Sequence, residues 1–185
     1  MTRTQDVTPA GPEPAWSPGG RRPLWPAWPG GRILIRQAGR GDLGGLGDFL
    51  AGLSVLTRYL RFFGGGPASP AMLRVLAGQR PEADALVATR NGVIIGHAMA
   101  VDTAGPSGAA ATEIGVVVAD AWQSRGVGSG LAGALVSRAR ARGATTLVME
   151  IMAENRQVLA MIAGRWPGAS HDRSAAYVTV RARLG

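Results

Sequence analysis

Apolar residues recur along this chain with two periods, and the switches between them mark out its elements. Ile33-Leu34-Ile35-Arg36 predicts a strand. Leu43, Leu46, Leu50 and Leu53 then return at helical spacing behind Asp42, a residue suited to capping, although Gly44, Gly45 and Gly47 weaken that helix. A second helix is predicted through LTRYLRFFG, with Leu56, Leu60 and Phe63 on one face and Phe63 in the core, and a third through PAMLRVLAG. Between Ala85 and Ala100 two apolar runs flank Asn91-Gly92, a pair suited to a type I′ hairpin turn. A loose Gly/Ala/Ser loop leads to a strand at 113–118. Beyond Gly126, Val127, Leu131 and Leu135 repeat at helical spacing to about Arg142, where Gly143 ends the helix. Thr145 to Met152 reads as a strand, Asn155 opens a helix to about Ala163, and Ala175 to Arg181 forms a last strand. The order β α α α β β β α β α β predicts an α/β (α+β) domain, antiparallel first, with one parallel crossover at the glycine turn.

Residues 1–31 break the pattern. They end in RRPLWPAWPGG, are rich in Pro and Gly, and carry Trp16, Trp25 and Trp28. Such a segment cannot build a periodic helix or central strand. We expect an irregular arm over 1–31 and one domain over 32–185. Either the arm is solvated, or its indoles dock on this domain or on a second copy, giving a homodimer.

Composition narrows the function. The chain has 185 residues, 46% hydrophobic and 17% charged, which suits a globular domain with a real core. No apolar run reaches the length of a membrane span and the start lacks a signal peptide, so a cytoplasmic protein without a membrane partner is expected. The absence of cysteine removes thiolate metal sites and cysteine nucleophiles, leaving His97 and His171 as the imidazoles. No metal is expected; His97 reads as a structural strand residue and His171 as part of a polar loop. Net charge is +8, and all 20 basic residues are arginine. That fits an anionic ligand or an acidic partner, and equally a coding bias towards arginine. Without lysine a GxxxxGK[ST] phosphate loop is excluded. Nucleic-acid binding is set aside, because the chain shows neither an aromatic-basic platform nor a recognition-helix signature.

The stretch Glu113 to Gly130, EIGVVVADAWQSRGVGSG, carries the chemistry. A β-branched strand runs into a turn whose Gly126 and Gly128 lack Cβ atoms, and then into a helix whose first N–H groups have no partner, so a diphosphate fits there. A dinucleotide fold needs G-x-G-x-x-G directly after the strand and an acidic residue roughly 20 positions on, a place Glu150 could fill. However, Asp120 to Arg125 separate the strand from Gly126, and the third glycine comes one position early at Gly130. Too little chain follows for a doubly wound sheet.

The pattern Q-x-x-G-x-G after the valine run resembles the acetyl-CoA motif of the GNAT acetyltransferase superfamily. The likeness covers most of 32–183, since the element order is the GNAT order and Asn155 falls where that family has an asparagine opening the next helix. LTRYLRFFG, TEIGVVVADAWQSRGVG and ENRQVLAMI are similar to blocks of the GNAT domain of bacterial protein lysine acetyltransferases. The resemblance implies a single GNAT-like domain: a mixed, mostly antiparallel sheet, one parallel pair splayed at the acetyl-CoA site, and helices on both faces. It implies an N-acetyltransferase with acetyl-CoA as co-substrate. By position, backbone of Val116, Val117 and Val118 would pair with the pantetheine arm. Ser124, Arg125, Gly126, Val127, Gly128 and Ser129 would form the diphosphate cradle, with Arg125 adding charge and Gln123 ahead of it in the cofactor site, and Asn155 would hold the pantetheine near the thioester.

The resemblance also places the base. An amine must lose a proton before it attacks a thioester, and a carboxylate shielded enough to raise its pKa is a suitable acceptor. Glu113, ten positions before Gln123, is the implied base; Glu150, five before Asn155, is the alternative, matching some N-terminal-amine acetyltransferases. Where many GNAT enzymes carry an acidic tyrosine, seven positions after the asparagine, this chain has Ile162, so no general acid is named. Tyr59, Arg61, Phe62 and Phe63 would wall the acceptor side, with Arg61 meeting an acidic acceptor surface. The expected acceptor is a lysine side chain of a protein such as an acyl-CoA synthetase. A small-molecule amine, or a non-catalytic acyl-CoA-binding regulatory domain, are the alternatives.

Overall fold

The computed structural model describes residues 32–63, 68–104 and 110–184, so the expected arm at 1–31 lies outside the described residues. Seven strands form one sheet in the order β1-β2-β3-β4-β5-β7-β6. They are β1 Ile33–Gln37, β2 Ala83–Arg90, β3 Val93–Ala104, β4 Ala110–Val118, β5 Thr146–Met152, β6 Ser170–Arg173 and β7 Tyr177–Arg183. The helices are α1 Leu43–Ala51, α2 Val55–Phe62, α3 Pro70–Leu76, α4 Val127–Ala141 and α5 Arg156–Arg165. Every strand pair is antiparallel except β4–β5. The expected mixed sheet with one parallel pair is therefore present.

Strand alternation divides the core into two layers. Leu86 and Ala88 of β2, Ala98 and Ala100 of β3 and Ile114 of β4 pack with Leu131 and Leu135 of α4, Ile162 of α5 and Val178 and Val180 of β7. On the other face, Ala85, Val87 and Val117 pack with Leu46, Leu50 and Leu76 of α1 and α3. The helices thus cover both faces, as expected. A register shift at Ala88/Thr89 leaves Ile95 of β3 without a partner and reverses the alternation there, so that Ile95 joins the layer of Ala98 and Ala100 and Ile94 the opposite one.

Local signals act where the sequence put them. Asn91 and Gly92 both take positive φ, 49° and 80°, the geometry of a type I′ turn. Asn155 caps its helix as expected, accepting the Val158 N–H, and Ser54 and Ser69, not singled out from the sequence, cap α2 and α3 by accepting from Thr57 and Met72. Gly143, at φ 91°, follows the end of α4. Three expectations need correction. Asp42 does not cap α1 through its side chain; the carboxylate takes a two-pronged pair from Arg36 at 2.6 and 2.8 Å and the Gly39 N–H at 2.9 Å. His171 lies in β6, an extra edge strand, rather than in a loop. Phe63 is not core: it ends α2 in left-handed backbone at 46% exposure, edge-on to Tyr177.

A carboxylate network fastens α4 to the sheet. Asp84, buried on β2, accepts from Arg138 Nε at 2.6 Å and Arg142 Nη1 at 2.7 Å, and Arg142 also grips Asp102 of β3. Among the described residues no helix is long and apolar enough to cross a membrane.

Candidate active site

The parallel pairing is short. β4 and β5 register only over Ala111–Glu113 against Thr146–Val148, while β4 continues to Val118 and β5 to Met152. The reason lies in the outer neighbours: β3 holds β4 along its full length, and β7 holds β5 from Thr146 to Met152. The two halves of the sheet therefore diverge from Glu113 onward, and the β5-facing edge of β4 through Val116, Val117 and Val118 has no strand partner. α2 lies across the split, touching both β4 and β5.

The glycine turn closes one end of this cleft. After β4, a single 3-10 turn at Asp120–Trp122 leads to Ser124 at φ 56° and Gly126 at φ 82°. Left-handed backbone costs a serine on the order of 1 kcal/mol, and glycine nothing. Gly126 is the N-cap of α4 and supplies no side-chain cap. The N–H groups of Val127, Gly128 and Ser129 thus lack a carbonyl one turn back, and they sit at the positive end of a fifteen-residue helix. Gly128 is not forced by packing, because a Cβ there would meet only Val118 Cγ2 at an ordinary 3.6 Å. Arg125 and Arg90 lie over the Trp122 ring, their Cζ atoms 5.6 and 4.8 Å from its centroid, so the rim of the turn is cationic. Bare donors, a helix start and two guanidinium groups suit a diphosphate.

Gln123 points inward instead. Its amide donates to the Val118 carbonyl and to Thr57 Oγ1, both at 3.1 Å. Beside it, Asp120 accepts from Ser54 Oγ and Thr57 Oγ1 at 2.7 Å and from the Ser54 N–H at 3.0 Å; these bonds hold its carboxyl below the usual range. Asp120 and Gln123 thus tie the start of α2 to the turn. The sequence reading missed Asp120, which there only separated strand from glycine.

Glu113 stands where the strands part, opposite Val148, and is exposed. Burial, the means suggested for tuning it, is absent. Glu150, two residues beyond Val148, lies on the same face as Glu113, on the far wall of the cleft, and is exposed too. Gly115 follows Glu113 on this face, and the Arg61 guanidinium of α2 rests on it. Asn155 is brought to the start of α5, near the turn: Gln157 reaches Ser124 Oγ at 3.3 Å. Asn155 Oδ1 is engaged by the cap, which leaves its Nδ2 donor. A groove of about 100 Å³ runs between α4 and α5 from Ser129 past Gly133 to Met161 and Trp166. Ile162 is buried beside it, so the place of the missing tyrosine is filled by packing.

The chain was compared with known proteins. Residues 54–163 match the family described as Acetyltransferase (GNAT) family. No curated protein sequence matches significantly. Among solved structures, the GNAT domain of S. lividans PAT is 24% identical with TM-score 0.72, the alignment covering 81% of this chain and 89% of that one. Salmonella typhimurium yncA, solved with its cofactor acetyl-CoA, is 20% identical with TM-score 0.67, covering 83% and 94%. A ribosomal-protein-alanine N-acetyltransferase from Brucella melitensis is 22% identical with TM-score 0.65, covering 82% and 99%.

Proposed function

We propose, from the premise that this chain belongs to the acetyltransferase (GNAT) family, that it carries the acetyl group of acetyl-CoA to a lysine side chain of a protein, with Glu113 as general base. The observation that carries this reading is the end of β4–β5 pairing at Glu113 and Val148, one strand length from the glycine turn. The diphosphate belongs on the N–H groups at the start of α4, beside Arg125. The pantetheine arm enters the gap along Val116 to Val118, and Asn155 Nδ2 offers it a donor. The adenosine end suits the α4–α5 groove. The thioester then comes to rest where the strands part, within reach of Glu113.

The chemistry follows from that placement. An acceptor ammonium gives its proton to the Glu113 carboxylate, directly or through one water, and the freed nitrogen attacks the thioester carbon. The C–N bond forms, the nitrogen gives up its second proton to solvent, the C–S bond breaks, and coenzyme A leaves as a thiolate that takes a proton from solvent. The exposed Glu113 exchanges its proton with bulk water for the next cycle. Likeness of three sequence blocks to bacterial protein lysine acetyltransferases supports a protein acceptor.

Release of coenzyme A in the presence of an acidic acyl-CoA synthetase, with acetyl-lysine located by mass spectrometry, tests the activity. Glu113→Gln is expected to lower kcat about 100-fold, in the range of a lost general base, and to leave acetyl-CoA affinity in place. An unchanged rate would move the base to Glu150 or to water. Saturable acetyl-CoA binding with no turnover on any amine would make the domain a sensor rather than an enzyme.

A further inference from the structure

The acceptor side of the cleft contains a cation that no described residue neutralises. Arg61 reaches from α2 and lays its guanidinium on the backbone of Gly115, where a Cβ would collide with Cζ and Nη2. The Phe62 ring lies 4.9 Å from Cζ. Nε is closed to solvent and has no hydrogen-bond partner. Among the described residues no carboxylate forms an ion pair with Arg61, and Glu113, its neighbour on the same face of β4, acts on it only through space. Burial pushes the guanidinium pKa below its ordinary value, with Glu113 acting against that shift. A half-buried charge without a partner is costly, and here it is kept two residues along β4 from Glu113.

We propose that Arg61 binds a carboxylate carried by the acceptor, so that this enzyme favours amines with a carboxylate close to the reacting nitrogen. The inference rests on the reading of Glu113 as base. A guanidinium presents a planar fork that matches a carboxylate in two-pronged fashion. Glu113 and Gly115 are two residues apart on one strand, about 6.6 Å. An acceptor can therefore give its nitrogen to Glu113 and its carboxylate to Arg61 across a few ångströms. Two sources share that chemistry: an aspartate or glutamate beside the target lysine of a peptide, and the α-carboxylate of a free amino acid. A plain polyamine would bring only positive charge to Arg61 and be disfavoured.

The test uses the full chain with saturating acetyl-CoA and two matched pairs of acceptors. One pair is a lysine peptide with glutamate or glutamine beside the lysine; the other is a free amino acid and its amide. The wild-type protein is expected to favour the carboxylate member of one pair about tenfold in kcat/KM, and the pair that responds identifies the source. Arg61→Gln should bring the ratio to about 1, and Arg61→Lys should keep part of it. Acetyl-CoA affinity, measured directly on each variant, reports that the cofactor site is intact. Turnover with a wild-type ratio near 1 in both pairs overturns this proposal and leaves acetyl transfer standing. A preference that survives Arg61→Gln assigns recognition to another cation and also overturns it. No turnover on any amine overturns both readings together.

Discussion

His97 is buried where it can do no chemistry at the surface of the cleft, and its protonation is instead coupled to folding. It pairs with Val117 across β3–β4, is 1% exposed, and has Nε2 2.8 Å from the Leu76 carbonyl. Burial lowers its pKa to about 4; the Leu76 bond opposes that shift and the Arg61 charge adds to it. The ring is thus neutral, with Nε2–H donating to Leu76. Above about pH 6.5 folded and unfolded chains agree in charge at this residue, so its full contribution is present. As pH falls from 6.5 towards 4, the unfolded chain takes up a proton that the folded one refuses, and stability is lost. The limit is about 3 kcal/mol, from roughly 2.5 units at 1.36 kcal/mol each. Asp42, Asp102 and Asp120 are held below the ordinary aspartate value, so their losses begin at lower pH. Denaturant unfolding at pH 7 and pH 4.5 should show this slope, and His97→Gln should flatten it while lowering stability at pH 7. An equally steep slope in the variant would sink the assignment.

The glycine turn depends on how closely α4 sits on the sheet, and one glycine decides that. A Cβ on Gly96 would come within 2.9 Å of Leu131 Cδ1 and 3.3 Å of Val127 Cγ1, the first turn of α4. Gly96→Val should therefore shift the turn, lower stability by about 1–3 kcal/mol, and weaken acetyl-CoA binding by roughly tenfold, read by melting and calorimetry. Gly44 in α1 is the contrast: nothing lies within 4 Å of its Cβ position, and Gly44→Ala should raise stability by about 0.5–1 kcal/mol with binding unchanged. If Gly96→Val binds as tightly as wild type, α4 does not set the turn. This difference between two glycines is invisible in sequence, where both read as helix or strand weakeners. The hairpin, the Asn155 cap and the glycine turn were legible because each depends on a few adjacent residues, whereas the Ser54 and Ser69 caps were passed over and the Asp42 cap was wrong. β6 was not, because Ser170-His171-Asp172-Arg173 is exposed throughout and shows no alternation. α2 was legible as an amphipathic helix, yet apolar spacing could not tell that none of its residues is fully buried and that Arg61, not a leucine, has its side-chain nitrogen closed to solvent. Gln123 was found by its spacing, but spacing carries no direction, and its amide turns towards Thr57 and Val118.

The whole molecule carries a formal net charge of +8, and that excess bears on which acceptors reach the cleft. Several of its acids are already engaged: Asp42 by Arg36, Asp84 by Arg138 and Arg142, and Asp102 by Arg142. What remains at long range is a positive field that draws acidic surfaces and repels polycations. The fold was readable from element order, which sets which strands can pair. The field acts through space and is readable from composition, but only in sign, because composition does not say where the charge faces. Salt separates the two scales. At saturating acetyl-CoA, kcat/KM for an acidic protein acceptor should fall about tenfold as ionic strength rises from roughly 0.05 to 0.5 M, since the screening length shrinks to a few ångströms. A net-neutral peptide with glutamate beside its lysine meets only the local charges of the cleft and should change by about twofold at most. Equal sensitivity of both acceptors would mean that the field is spent at Arg61 and Glu113 rather than across the surface, and flat curves for both would remove charge from acceptor choice.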